Sequence, residues 1–153
     1  MLDDLEAWLT SRLGKSIVRA KDTPNFVANR IGVMSIVAVM HHTARLGLGF
    51  DEVDALTGPL IGRPKSATYR TADVVGLDTL AHVVGTMQAT LPDDPWHAYF
   101  RNPDWLTGLI AQGALGQKTR GGIYRKDGKT ITVLDVATQA YRPSAGEVAP
   151  EVL

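Results

Sequence analysis

Leu2, Leu5, Leu9 and Leu13 recur at spacings of three and four, and Asp3, Asp4, Glu6 and Arg12 fall between them. That period predicts a short amphipathic helix over 2–13, stopped by Gly14. Ser16–Lys21 carries Ile17 and Val18 in a run that predicts a strand. No second strand lies nearby in sequence to pair with it, so this helix and strand read as the tail of an α/β unit whose other strands lie elsewhere. Asp22-Thr23-Pro24 supplies a capping side chain and then a proline suited to a first turn, which predicts a long helix over 24–46 that ends at Gly47. From Ile31 to Met40 this helix is apolar on every face. The pattern predicts burial all round, at the centre of a helical bundle or of a subunit interface. Ala28, Gly32, Ser35 and Ala38 give it a small-residue face that a second helix can approach closely.

Beyond Gly47 the predicted elements shorten. A helix is expected over 50–57, with Asp51 placed to favour its N-terminus, and Gly58-Pro59 ends it. Residues 60–64 read as a loop and 65–70 as a helical turn. Residues 71–91 read as helix with a break at Gly76, and 92–95 as a turn. Two short helices follow over 96–100 and 103–112, the second with Asp104 near its start. Gly113–Gly122 is rich in glycine and basic. Ile123–Arg125 and Thr130–Leu134 flank Lys126-Asp127-Gly128-Lys129, which predicts a hairpin on an Asp-Gly signal. After Tyr141-Arg142-Pro143 the chain turns small and acidic and reads as a linker or frayed end.

Composition narrows the classes. A length of 153 residues suits one domain or slightly more, enough to bury roughly 70% of the unfolded surface. Sixteen Lys and Arg balance sixteen Asp and Glu, which argues against nucleic acid as a partner, since that role needs an excess of cations. Hydrophobic residues at 44% and charged residues at 21% argue against whole-chain disorder. The absence of cysteine excludes disulfides, thiolate nucleophiles and Cys-ligated zinc. The apolar run Ile31–Met40 is too short for a membrane span, which takes about 20 residues. The acidic start Met-Leu-Asp-Asp-Leu-Glu is unlike a signal peptide, so a cytoplasmic location is expected.

Candidate chemistry is sparse. His41 and His42 are adjacent, so on a helix they diverge by about 100° and do not chelate one ion; His82 and His97 lie far from them in sequence. No metal site is expected. A Gly-x-Ser-x-Gly elbow is missing, which disfavours serine hydrolysis. Gly113–Gly122 lacks Walker A spacing and runs into a strand, so it reads as a tight turn and not as a phosphate loop. There is no Gly-x-Gly-x-x-Gly for a dinucleotide. Trp8, Trp96 and Trp105 read as core or interface anchors.

Three segments are more specific. They are Lys21-Asp-Thr-Pro-Asn-Phe-Val-Ala-Asn-Arg30, then Gly58-Pro-Leu-Ile-Gly-Arg-Pro-Lys through Asp73-Val-Val-Gly-Leu-Asp78-Thr79, then Gly116-Gln-Lys-Thr-Arg-Gly-Gly-Ile-Tyr124. In that order they resemble the C-terminal domain of NAD-dependent 3-hydroxyacyl-CoA dehydrogenases of fatty-acid β-oxidation, over roughly 14–124. Residues up to about Pro143 look like the bacterial fused, multifunctional members. The sequence departs from the family pattern at three places. Asn25 stands where glycine is usual, Gly62-Arg63-Pro64 replaces Gly-Pro, and Ile123 replaces phenylalanine before Tyr124.

The resemblance implies a mainly α fold. It would be a helical-bundle dimerisation domain of the 6-phosphogluconate dehydrogenase C-terminal-like type, with a small β-hairpin near the C-terminus. Residues 1–21 would be the last helix and strand of a preceding Rossmann domain, 22–143 the helical domain, and 144–153 a tail or linker. The whole enzyme would oxidise 3-hydroxyacyl-CoA to 3-oxoacyl-CoA with NAD. The NAD site and the catalytic histidine and glutamate would sit in the preceding domain, so no catalytic residue and no cofactor is expected in this chain, which alone would be inactive. Asn29 matches the family's helix asparagine beside the substrate; an amide can hydrogen-bond a hydroxyl or thioester without competing for the proton. Arg30 is expected to be a structural or interdomain ion-pair partner. The implied partners are the acyl-CoA substrate, the Rossmann domain and a second copy in a homodimer. Two alternatives stay open: a stand-alone helical interaction module, or the helical domain of another β-hydroxyacid dehydrogenase. The second usually carries a catalytic lysine on the long helix, and positions 26–46 contain none.

Overall fold

The fold was analysed in a computed structural model, which describes residues 1–145 and Val148. Its first helix, α1 (Leu2–Leu13), follows the leucine period and closes at Gly14 in the left-handed region, φ 60°. No residue of α1 is buried. Residues 16–21 do not form a strand. A β-branched run gains a ladder only where another strand presents its N–H and C=O groups, and the described strands all pair elsewhere. Arg19 turns back to α1 instead, where its Nε donates to Glu6 at 2.8 Å and its guanidinium also meets Asp3.

Helix α2 spans Phe26–Leu46, two residues shorter at its start than the capping signal predicts. Thr23-Pro24-Asn25 forms a turn closed by the Phe26 N–H on the Thr23 carbonyl at 3.3 Å, and no side chain caps the helix. Asn25 sits there at φ 64°, a left-handed conformation that glycine adopts freely and asparagine tolerates better than most residues. That geometry accounts for the departure from the family's glycine. The helix is not buried on every side. Val33, Val37, Met40 and Thr43 form its buried stripe, while Phe26 and Ile31 are 65% and 66% exposed. Apolar composition marked α2 correctly as a packing helix, but among the described residues only one stripe is fully buried, while Met34, Ile36 and Val39 are partly buried against the core. Gly32 meets no atom that would restrict a side chain, so no second helix approaches the small-residue face there among the described residues.

Helix α3 (Phe50–Thr57) has the predicted bounds, with a different cap. Glu52 accepts the Gly49 N–H at 2.6 Å, and Asp51 is drawn away to Arg142. After single 3-10 turns at Pro59–Ile61, helices α4 (Tyr69–Val75) and α5 (Leu77–Thr90) meet at Gly76, whose φ of 98° breaks the helix where the sequence placed the break. A 3-10 turn at His97–Tyr99 and α6 (Asp104–Ala111) complete the helical part. Val37, Phe50, Tyr69, Leu77, Leu80, Met87, Phe100 and Leu106 build the core between these helices, and Ile123 and Val133 seal it from the sheet side.

The sheet has three antiparallel strands, not the two of a hairpin. The strand β1 (Tyr124–Asp127) pairs with β2 (Thr130–Asp135) from Tyr124↔Val133 to Asp127↔Thr130, and Gly128 takes the turn at φ 58°. The third, β3 (Ala140–Pro143), pairs with β2 from Thr132↔Pro143 to Asp135↔Ala140. Its turn lacks a Gly signal. Asp135 makes it instead, accepting the Ala137 and Thr138 N–H groups at 2.9 and 3.0 Å, with Gln139 at φ 55°. The expected tail begins tied down, since the Ser144 N–H reaches the Ile131 carbonyl at 2.9 Å and the Ala145 N–H reaches Asp51 at 2.8 Å. The rest of 144–153, Val148 apart, lies outside the described residues. Among the described residues no helix is long and apolar enough to cross a membrane. The architecture is the expected mainly helical domain carrying a small C-terminal sheet.

Candidate functional site

Asn29 lies in the first turns of α2, exposed on the surface. The next residue, Arg30, points to Asp94 and pairs with it. Asp94 also accepts the Trp96 N–H at 2.8 Å, and that bond, with Arg30, holds its carboxyl below the usual range. Arg30 is thus a structural tie between α2 and the 92–97 turn. Beside it Ile31, Met34, Trp96 and Phe100 line a cleft of about 400 Å³. Asn29 itself does not line this cleft; it is exposed one position before Arg30, which does. A larger cavity, about 620 Å³, opens at the far end of the same helix by Met40, Phe50 and Trp105. Met40 is eleven residues from Asn29, about 16 Å of helix rise.

The second and third sequence segments come together as a buried clasp. Asp73 lies on α4, and its two carboxylate oxygens accept the N–H groups of Ile123 and Tyr124 at 2.9 and 2.8 Å. Gly116 and Gly122 let the loop close on it. A Cβ on Gly116 would lie 2.3 Å from the Asp73 carbonyl oxygen, and one on Gly122 would lie 2.2 Å from its carboxylate. Gly116 and Gly121 bond each other in both directions, at 2.9 and 3.2 Å, and Lys118 pairs with Asp78. The glycines serve backbone packing, and the lysine is committed to a carboxylate.

Asp54, on α3, has a larger role that the sequence did not signal. One of its oxygens accepts the N–H groups of Thr68 and Tyr69 at 3.0 and 2.6 Å. The other accepts the Arg70 N–H at 3.0 Å and the Tyr124 hydroxyl at 2.9 Å. Burial pushes both carboxyls up, opposed by these donors; Asp73 is pushed up to about 6. The Tyr124 hydroxyl is pushed up by burial and by the neighbouring Asp54 charge. A carboxylate on a short amphipathic helix reads as solvent-facing, and its donors lie fourteen or more residues away, so no local pattern could reveal it.

The remaining predicted residues take ordinary places. The rings of His41 and His42 are 5.3 Å apart and edge-on, and His41 packs against Tyr99. His97 Nδ1 lies 3.0 Å from the Leu91 carbonyl, and His82 is exposed. Among the described residues no group of three His, Asp or Glu side chains is placed to hold a metal ion. Trp105 packs on Phe50 in the core, whereas Trp8 and Trp96 are exposed. A dinucleotide does not fit the residues described here. The described sheet is antiparallel and has no switch point between parallel strands, and Gly116 and Gly122 pack against Asp73 and do not open a helix.

The family described as "3-hydroxyacyl-CoA dehydrogenase, C-terminal domain" matches residues 26–126. A Bacillus subtilis protein named "Probable 3-hydroxyacyl-CoA dehydrogenase" is 48% identical over 129 residues, 84% of this chain and 16% of that protein. A Deinococcus radiodurans protein of the same name is 44% identical over 126 residues, 82% of this chain and 36% of that one. The crystal structure of (S)-3-hydroxybutyryl-CoA dehydrogenase PaaH1 from Ralstonia eutropha matches with a TM-score of 0.67 at 27% identity, over 82% of this chain and 42% of that one. The chain thus spans 16% and 36% of the length of these two curated relatives.

Proposed function

The chain belongs to the family of 3-hydroxyacyl-CoA dehydrogenase C-terminal domains, and from that premise we propose that it forms one wall of the acyl-CoA cleft, and the dimer surface, of an enzyme that oxidises 3-hydroxyacyl-CoA to 3-oxoacyl-CoA. The observation that carries the reading is the exposed amide of Asn29, one residue before Arg30 in the wall of the cleft that Ile31, Met34 and Trp96 also line, on a helix that leaves Phe26 and Ile31 exposed. NAD would supply the hydride acceptor for this reaction and would be held by a Rossmann domain, not by these residues. The catalytic histidine and glutamate belong to that domain too. Asn29 donates a hydrogen bond to the substrate oxygen and orients it without taking its proton.

In this reading residues 1–21 are the trailing edge of the Rossmann domain, 22–143 the helical domain and 144–153 a tail. The family match beginning at residue 26 and the absence of any buried residue in α1 support the boundary. The Bacillus relative, of which the match covers 16%, supports membership of a long, fused enzyme. The open face of α2, with Phe26 and Ile31 exposed, supports a homodimer; a cytoplasmic location is part of the same proposal. The test is an assay of the purified 153-residue chain with 3-hydroxybutyryl-CoA and NAD, followed by NADH absorbance. No turnover is expected, and measurable turnover would overturn the assignment of the chemistry to another domain.

A further inference from the structure

Lys65, Arg70, Arg120, Arg125 and Lys126 line two adjoining clefts of about 570 and 560 Å³, which share Arg70 and Gln117 in their walls. The chain as a whole carries no net charge, so five cations along one groove are a local excess. None of the five enters the ion pairs formed among the described residues, which use Arg19, Arg30, Lys118 and Arg142. Three carboxylates reach the same clefts, and each is already engaged. Asp51 is held by Arg142, Asp54 by three N–H groups and a phenol, and Asp73 by two N–H groups.

Two of the cations are also fixed in place. The Arg70 guanidinium lies 4.2 Å from the centre of the Tyr124 ring, and the Arg125 guanidinium lies 3.6 Å from that of Tyr141. An aromatic face orients a guanidinium without neutralising it, so its N–H fork stays available to an anion. A planar fork suits phosphate oxygens, and the cleft volumes fall in the range of small-molecule sites.

We propose that this groove is a binding site for a small molecule bearing two or more phosphate groups, one group in each cleft. Two sources share that chemistry: the nucleotide end of a CoA thioester, and a free nucleoside polyphosphate. Only the choice of CoA rests on the function proposed above; the anion site itself does not.

The test is calorimetric titration of the 153-residue chain at low ionic strength with pyrophosphate, CoA and ATP. Arg120→Asn/Lys126→Gln removes two exposed cations of the groove, and Arg45→Gln/Arg101→Gln removes the same charge from residues that line neither cleft. Saturable pyrophosphate binding is expected, weakened roughly tenfold by the first pair and unchanged by the second. CoA binding tighter than ATP assigns the groove to the nucleotide end of CoA, and the reverse order assigns it to a free polyphosphate. Absence of saturable binding by all three probes, or equal weakening by both pairs, overturns the site. Pyrophosphate binding that persists while the parent enzyme fails to oxidise 3-hydroxyacyl-CoA would sink the functional reading and leave the groove standing.

Discussion

Replacing Asp54 by Asn keeps the shape of the buried clasp and changes only its charge and donor pattern. In the wild type one carboxylate oxygen accepts two backbone N–H groups and the other accepts a third N–H and the Tyr124 hydroxyl. An Asn side chain oriented to keep the first pair turns its NH₂ toward the Arg70 N–H. The Tyr124 hydroxyl can rotate to accept, but a backbone N–H cannot, so one buried donor is orphaned at a cost of about 1–3 kcal/mol. The two surviving N–H bonds lose their charge assistance, roughly another 1 kcal/mol together. Against this, the variant no longer buries a charge, which the raised Asp54 pKa shows to be unfavourable. The net expectation is a loss of about 2–3 kcal/mol. For a chain of this length that lowers Tm by roughly 4–12 °C. Thermal and urea unfolding followed by far-UV circular dichroism measure it, and a double-mutant cycle with Tyr124→Phe should show a coupling of about 1 kcal/mol. A loss under about 0.5 kcal/mol, or additive effects of the two substitutions, would refute the view that Asp54 closes the clasp.

Other expectations follow from the same geometry. Asp73 is raised to about 6, so the folded state binds its proton more tightly than the unfolded chain does; its contribution to stability is therefore greatest below the unfolded pKa and is lost as pH rises through about 6. This amounts to about 3 kcal/mol, and comparing wild type with Asp73→Asn in urea titrations from pH 4 to 7 should show a steeper slope in the wild type, the remainder coming from groups such as Asp54 that burial also raises. Gly122→Ala puts a methyl 2.2 Å from the Asp73 carboxylate and should cost at least about 2 kcal/mol by chemical denaturation. Asn25→Gly, at φ 64°, should change stability by less than about 1 kcal/mol in the same assay, whereas Asn25→Val should cost more.

The sequence was most legible where a period and a stop signal coincide. Leucines at intervals of three and four ended by Gly14 gave α1, and Gly76 marked the break between α4 and α5. It was less legible where a property depends on a neighbour. Ile17 and Val18 favour extended backbone but have no strand to pair with among the described residues, and β3 forms because Asp135 builds a turn with no glycine signal. Ile31 is apolar like Val33 and Val37, yet only the latter two are buried in the core. Of the candidate site, Asn29 was named from its motif, Asp73 stood in a motif without a role, and Asp54 escaped notice. Their donors lie fourteen or more residues away and, the Tyr124 hydroxyl apart, are backbone groups, which no side-chain pattern reports.

The central claim is that Asn29 faces substrate in a two-domain dehydrogenase. Its most direct test is the kcat/KM for 3-hydroxyacyl-CoA oxidation by the protein in which these residues are joined to a dinucleotide-binding domain, with Asn29 and with Asn29→Ala. The account predicts NAD reduction by the wild type. For the variant it predicts an unchanged Tm, because the residue is exposed, and a fall in kcat/KM of about 10- to 1,000-fold. An Asn29→Ala enzyme of full activity, or a wild type that reduces no NAD with any 3-hydroxyacyl-CoA, would contradict it.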